Sequence, residues 1–184
     1  MDDLIRDLGP SEAETDWREA AEVLAASDTT IAHIDTGLFP HPSLGYIGDT
    51  PPANIQLDRG MNVYDPSPTD SRPITDLSKS GGLVAGASEY PDHGVKTMSV
   101  ILSNNEHLRG VAPGAKLIPY RIANGPVFLE DAKTSNIGRA LEHALALPTP
   151  PKVVSISMGN PGATGPFELL RFITGGSPGM AKRT

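Results

Sequence analysis

The chain has 184 residues, with 15 lysines and arginines against 22 aspartates and glutamates, which gives a formal net charge of −7. This acidic balance and the absence of a basic run argue against a nucleic-acid-binding protein. Apolar stretches such as Leu117-Ile118 are too short to span a membrane, and we see no secretory signal at the N-terminus. Because cysteine is absent, we expect hydroxyl, carboxylate and imidazole chemistry only.

The first part of the chain predicts a helix, a strand and a long loop. Residues 11–26 begin with serine and acids and space their apolar residues by three and four, which is typical of a surface helix. The β-rich run Thr29–Ile34 stops at the turn Asp35-Thr36-Gly37, so a carboxylate stands at the carboxyl end of a strand. Seven prolines from Pro40 to Pro73 then indicate an extended loop.

The rest of the chain alternates helices with strands. In chain order we predict a helix from His93 to Asn104-Asn105, capped by Asp92; a strand over Lys116–Ile122, interrupted by Pro119; a helix over 134–147, with Ile137, Leu141, Ala144 and Leu145 inward; and a strand over 152–158. Such alternation indicates an α/β fold with a parallel sheet and helices on both faces. Functional groups should lie beyond the strands' carboxyl ends, where Asp35 and Gly159 both fall.

Three segments carry a resemblance to a known family. They are Ile31-Ala32-His33-Ile34-Asp35-Thr36-Gly37 with His41-Pro42-Ser43-Leu44, His93-Gly94-Val95-Lys96-Thr97-Met98-Ser99-Val100 with Gly110-Val111-Ala112-Pro113-Gly114-Ala115, and Val153-Val154-Ser155-Ile156-Ser157-Met158-Gly159. Together and in this order they resemble the Asp-Thr-Gly turn, the His-Gly-Thr helix and the Ser-Leu-Gly strand of the subtilisin-like serine peptidases, or subtilases. The fold implied is the subtilisin-like α/β fold, incomplete at its C-terminal side.

The resemblance implies a serine endopeptidase with a peptide or protein substrate. Asp35 matches the aspartate of the catalytic triad and His93 matches its general base. Peptide bonds would be cleaved through an acyl-enzyme, because an imidazole held by a carboxylate can take the proton of a serine hydroxyl. The residues matched to substrate-backbone binding are Ser157, Met158, Gly159 and, after the second strand, Gly125.

Several departures mark the chain as a divergent and partial member. Val95 stands in place of a threonine, Lys96 in place of a second histidine that many members have, and His33 in place of a small apolar residue. The Gly-Thr-Ser-Met-Ala motif of the nucleophile and the oxyanion asparagine are both missing, and Ser177 matches that serine only faintly. We therefore expect a chain that is inactive alone, with a helical lead-in at 1–27, a partial catalytic domain at 28–173 whose proline-rich loop covers about 39–90, and a loose tail at 174–184.

The remaining histidines show no metal-ligand spacing. We expect His33 to pack in the core, since it lies two residues before Asp35 on the same face of a strand. His41 is interpreted as a loop-packing residue, and His107 and His143 as surface residues.

No cofactor is required by this chemistry. The family often binds calcium, and the candidate ligands in the long loop are Asp65, Asp70 and Asp76, although no oxygen-rich motif points to a site. The family is also often secreted, but the sequence itself leaves the compartment open.

Two alternatives remain open. An apolar run into Asp-Thr-Gly is also the signature of aspartic peptidases, but that class needs two such aspartates on an all-β fold, and Leu38 stands where it has a small residue. A non-catalytic subtilase-like module that binds a peptide or a partner is the second alternative.

Overall fold

The computed structural model describes residues 28–67, 70–75, 77, 90–105, 108–126 and 131–159, with the backbone alone at 131–134. The predicted helix over 11–26 and the tail at 174–184 lie outside these ranges.

Four strands form a parallel sheet, as the α/β pattern predicted. They are β1 (Thr30–Asp35), β2 (Met61–Asn62), β5 (Lys116–Arg121) and β6 (Val153–Ile156), in the spatial order β2-β5-β1-β6. The register runs from Thr30 opposite Lys116 to Asp35 opposite Arg121, and Ile31 lies opposite Val153. The carboxyl ends of β5, β1 and β6 therefore share one edge of the sheet, with Asp35 between its neighbours.

Two helices cover the two faces of this sheet. Helix α1 (His93–Leu102) packs on the face that carries Ile31, and helix α2 (Asp131–Ala146) packs on the face that carries Ala32. All six residues of β1 are buried. Because successive strand residues point to opposite faces of the sheet, both faces of β1 are covered. Neither of these two described helices is long and apolar enough to cross a membrane.

Several predicted boundaries and contacts were wrong. Helix α1 ends at Leu102, and the next residues form a small antiparallel hairpin of β3 (Asn104–Asn105) and β4 (Leu108–Arg109). Asp92 stands at the N-cap position but makes no capping hydrogen bond; its carboxylate binds Lys96 Nζ at 2.7 Å instead. Leu145 is 69% exposed rather than inward, because Ala140 and Ala144 make the contact of α2 with the sheet.

Pro119 does not interrupt its strand, contrary to the sequence-based expectation. The backbone groups of Leu117 and Arg121 face the side of β2: Leu117 N–H donates to Asn54 and Arg121 C=O accepts from Val63. Pro119 has the same orientation, and β2 begins to pair only opposite Tyr120. The missing N–H of Pro119 therefore falls where no partner strand requires it.

Arg121 fastens the proline-rich loop to the carboxyl edge of the sheet. Its side chain is buried and pairs with Asp65 of the loop, while one of its guanidinium nitrogens donates to Asn124 Oδ1 at 3.3 Å. Its carbonyl accepts the N–H groups of Val63 and Tyr64 at 2.8 and 3.1 Å. The loop is thus held beside the end of β1, although the sequence alone indicated only an extended segment.

The turn after β1 and the start of α1 approach each other so closely that both need glycine. Gly37 has a φ of 85°, a left-handed conformation that favours glycine. A Cβ on Gly94 would lie 2.2 Å from the carbonyl oxygen of Gly37. Thr36 joins the two segments, because its hydroxyl donates to Pro91 C=O at 2.9 Å and accepts from Gly94 N–H at 2.8 Å.

We predict that Gly94→Ala destabilises the chain despite the higher helix propensity of alanine. The added methyl group meets backbone that cannot move independently, and overpacking of this kind costs about 1–3 kcal/mol. The matched control is Gly138→Ala in α2, where an added Cβ meets nothing within 4 Å. This control should stabilise the chain by about 0.5–1 kcal/mol. Urea unfolding measures both, and a Gly94→Ala variant as stable as the parent would contradict the close approach.

Candidate active site

Asp35 and His93 form a hydrogen-bonded pair at the carboxyl edge of the sheet. Asp35 is fully buried at the end of β1, and His93 is the first residue of α1. His93 Nδ1 lies 2.8 Å from Asp35 Oδ1, and the imidazole side chain is 25% exposed. The structure therefore brings together the two residues that the sequence singled out, one shielded from water and the other reachable from outside.

The direction of this hydrogen bond follows from the chemistry of its partners. A carboxylate only accepts hydrogen bonds, so Nδ1 of His93 carries the proton and Nε2 keeps its lone pair in the neutral ring. Thr36 N–H also donates to Asp35 Oδ1 at 2.7 Å. The first carboxylate oxygen is thus held both by its own turn and by the helix that carries the imidazole.

Thr97 and His33 lie near the second carboxylate oxygen of Asp35, Oδ2. Thr97 Oγ1 is 3.1 Å from Asp35 Oδ2 and 3.0 Å from His33 Nε2. Our sequence analysis missed Thr97, although it stands four residues after His93 and so on the same face of the helix. His33 is a buried residue, as expected, but its ring also takes part in this network.

Burial controls the charge of His33. The pKa of its imidazole is lowered to about 4, first because the ring is removed from water, and further by the nearby His93; the Asp35 carboxylate opposes the shift. His33 is consequently neutral at neutral pH and places no positive charge beside Asp35.

The four residues matched to substrate binding lie at the same edge of the sheet. Ser157 and Gly159 are exposed, Met158 packs partly on the α2 side of the core, and Gly125 is buried. Gly159 N–H donates to Pro126 C=O at 3.0 Å, so the segments that follow β5 and β6 lie side by side. A peptide that pairs with Gly159 N–H would have to replace this hydrogen bond.

His41 and His143 form hydrogen bonds with residues outside the Asp35–His93 pair. His41 is exposed in the loop, and its Nδ1 accepts Ser43 N–H at 3.2 Å. His143 was expected at the surface, but it is half-buried on α2 and its Nδ1 lies 3.1 Å from the Tyr120 hydroxyl, because the tyrosine of β5 reaches the helix on that face. His107 lies outside the described residues.

The two candidate calcium ligands that the structure describes each pair with an arginine. Asp65 pairs with Arg121, and Asp70 binds Arg72 at 2.8 Å, while Asp76 is outside the described residues. Over the ranges that the structure covers, no group of three histidines, aspartates or glutamates is arranged to hold a metal ion.

We predict that His33 lowers the free energy of unfolding of the chain as the pH falls from about 6.5 to about 4. In this window the unfolded chain binds a proton on His33 that the folded chain refuses, so stability falls as the pH falls. Replacement by leucine should flatten this slope by up to about 1.4 kcal/mol per pH unit. Urea melts at several pH values measure the slope of each variant, and equal slopes for His33→Leu and its parent would contradict the prediction.

Comparison with known proteins supports the subtilisin-like α/β fold. The model of the subtilase family, peptidase S8, matches residues 26–179. A protein of Xanthomonas campestris pv. campestris named "Extracellular protease" is 26% identical over 168 residues, which cover 85% of this chain and 28% of that protein. The chain therefore spans less than a third of the curated relative that it matches. On the family match and the parallel sheet, the chain belongs to the subtilase family.

Proposed function

We propose that this chain supplies the Asp-His half of a subtilisin-like serine endopeptidase, with Asp35 as the orienting carboxylate and His93 as the general base. The observation that carries the proposal is the 2.8 Å hydrogen bond between a fully buried carboxylate and a partly exposed imidazole. Both side chains stand on regular elements, one at the end of a strand and one at the start of a helix, as a preorganised site requires.

The proposed chemistry uses the free nitrogen of His93. Nε2 takes the proton from a serine hydroxyl as its oxygen bonds to the scissile carbonyl carbon, and Asp35 stabilises the imidazolium that forms. The imidazolium then gives this proton to the leaving amine as the C–N bond breaks. Water hydrolyses the acyl-enzyme by the same route. The Gly-Thr-Ser-Met-Ala motif does not occur in this sequence, so we assign the serine to the remainder of a longer catalytic domain.

The substrate proposed is an extended peptide at the carboxyl edge of the sheet. Ser157, Met158 and Gly159 follow β6, Gly125 follows β5, and Asp35 ends the strand between them. A peptide bound along these segments would lie next to the Asp35–His93 pair.

The name of the Xanthomonas relative describes that protein as extracellular, and we propose the same location here.

One observation favours a second candidate function, that of a non-catalytic peptide-binding module. Strand β6 is one of the two edge strands of the described sheet, and Val153, Val154 and Ile156 are 40–45% exposed. An open strand edge can pair with an added strand through backbone hydrogen bonds. Such a module would use the same fold without needing a nucleophile.

We predict that residues 1–184 alone show no peptidase turnover and no labelling by a fluorophosphonate probe. Mixed with the C-terminal half of a subtilase that carries the serine, the chain should restore labelling. His93→Ala should abolish it, and Asp35→Asn should lower its rate by about 10⁴-fold, because the imidazole then loses its proper tautomer. His143→Gln, a histidine substitution on α2, is the matched control and should label normally.

Two results would contradict the proposal. Labelling of the reconstituted protein that survives His93→Ala would remove His93 from the mechanism. Labelling of the chain alone that is lost in Ser177→Ala would place the nucleophile at Ser177, which lies outside the described residues. If the mixture gives no labelling but a fluorescent peptide binds the chain, and Val153→Pro at the open edge of β6 prevents the binding, the peptide-binding module is the correct function.

A further inference from the structure

His33 is a buried titratable group that the proposed mechanism does not use. It is 1% exposed, and its Nδ1 has no hydrogen-bond partner in the part of the chain that the structure describes. Its other ring nitrogen, Nε2, lies 3.0 Å from Thr97 Oγ1 and 4.0 Å from Asp35 Oδ2. Burying an imidazole whose Nδ1 has no hydrogen-bond partner costs free energy of folding. Any role of His33 must therefore depend on the hydrogen bond between its Nε2 and Thr97.

The number of available protons sets the direction of the hydrogen bonds. The Thr97 hydroxyl has one proton, and Asp35 Oδ2 at 3.1 Å and the carbonyl oxygens of His93 and Gly94 at 3.2 Å all accept only. If His33 carried its proton on Nδ1, Nε2 would be a further acceptor and the buried Nδ1–H would have no acceptor. With the proton on Nε2, His33 donates to Thr97, and the charged Asp35 is the strongest acceptor for the threonine proton.

We propose that His33 and Thr97 are positioning residues for Asp35, forming a buried relay in which His33 Nε2–H donates to Thr97 Oγ1 and the Thr97 hydroxyl donates to Asp35 Oδ2. Oδ1 is already held by Thr36 N–H and His93 Nδ1–H. With donors on both oxygens, the carboxylate cannot rotate about its terminal bond. The relay therefore keeps Oδ1 directed at the imidazole of His93.

The neutrality of His33 is part of this role. A cation 4.0 Å from Asp35 Oδ2 would compete with the His93 imidazolium for the same negative charge. The groups with titratable charge that face His33 are Asp35 on its own strand and His93 on α1, and burial outweighs the attraction of Asp35 and holds the pKa of His33 at about 4. His33 can thus orient the carboxylate without neutralising it.

Long-range ¹H–¹⁵N NMR of the 184-residue chain at pH 7 tests the direction of the relay. We expect the ring of His33 to be in the Nε2–H form, and the His93 Nδ1 proton to give a slowly exchanging low-field resonance that disappears in Asp35→Asn. A His33 ring in the Nδ1–H form, or a protonated ring, would overturn the proposal.

Paired substitutions test the positioning itself. Thr97→Val and His33→Leu should accelerate solvent exchange of the His93 Nδ1 proton by about tenfold or more, as expected for loss of a hydrogen bond to a charged group. Thr97→Ser and His33→Gln keep a hydroxyl and an N–H donor and should stay close to the parent. His143→Gln is the matched control. Unchanged exchange in folded Thr97→Val would overturn the relay.

The relay rests on the proposed function only in taking Asp35 and His93 as the catalytic pair. These NMR measurements need no turnover, so the relay can fail while reconstituted activity is present. Conversely, it can be found in a chain whose reconstitution fails, and the two failures are therefore distinguishable.

Discussion

The burial of the Asp35 carboxylate is the constraint on which the rest of the structure depends. A charge removed from water is stable only if hydrogen-bond donors surround it, and here they come from Thr36 N–H, His93 Nδ1 and Thr97 Oγ1. Two of these donors stand on α1, one in its first turn and one in its second. The helix must therefore dock with its N-terminal end over the end of β1, and this docking presents the imidazole at the edge of the sheet.

Contacts outside the Asp35–His93 pair set the distance between α1 and the turn after β1. Gly94 lets the helix touch the carbonyl of Gly37, and the Thr36 hydroxyl joins the turn to the start of α1 by accepting from Gly94 N–H and donating to Pro91 C=O. Val95, which departs from the family pattern, packs in the core between helix and sheet. The departure therefore leaves the Asp35–His93 geometry intact, because Gly94 and Thr36 rather than position 95 control the approach.

The sheet places the rest of the site by topology. In a parallel sheet the segments after each strand meet at one edge, so Gly125 and Ser157–Gly159 reach the same side as Asp35 from distant parts of the chain. Arg121 holds the proline-rich loop against this edge through Asp65. Gly159 N–H donates to Pro126 C=O, so the segments that follow β5 and β6 form a backbone hydrogen bond with each other. A peptide that paired with Gly159 N–H would therefore exchange one backbone hydrogen bond for another.

The sequence by itself indicated the parallel α/β fold, because strand and helix periodicity are local signals. Its resemblance to the subtilases singled out Asp35 and His93, because the Asp-Thr-Gly turn and the His-Gly helix start are short motifs that can be read locally. The tertiary structure alone decided the features that depend on neighbours distant in the chain. Pro119 sits in a continuous strand because β2 pairs only beyond it, and Leu145 is exposed because Ala140 and Ala144 face the sheet. The link from His33 through Thr97 to Asp35 joins residues 64 positions apart. No local pattern reports a contact that exists only once α1 has packed on β1.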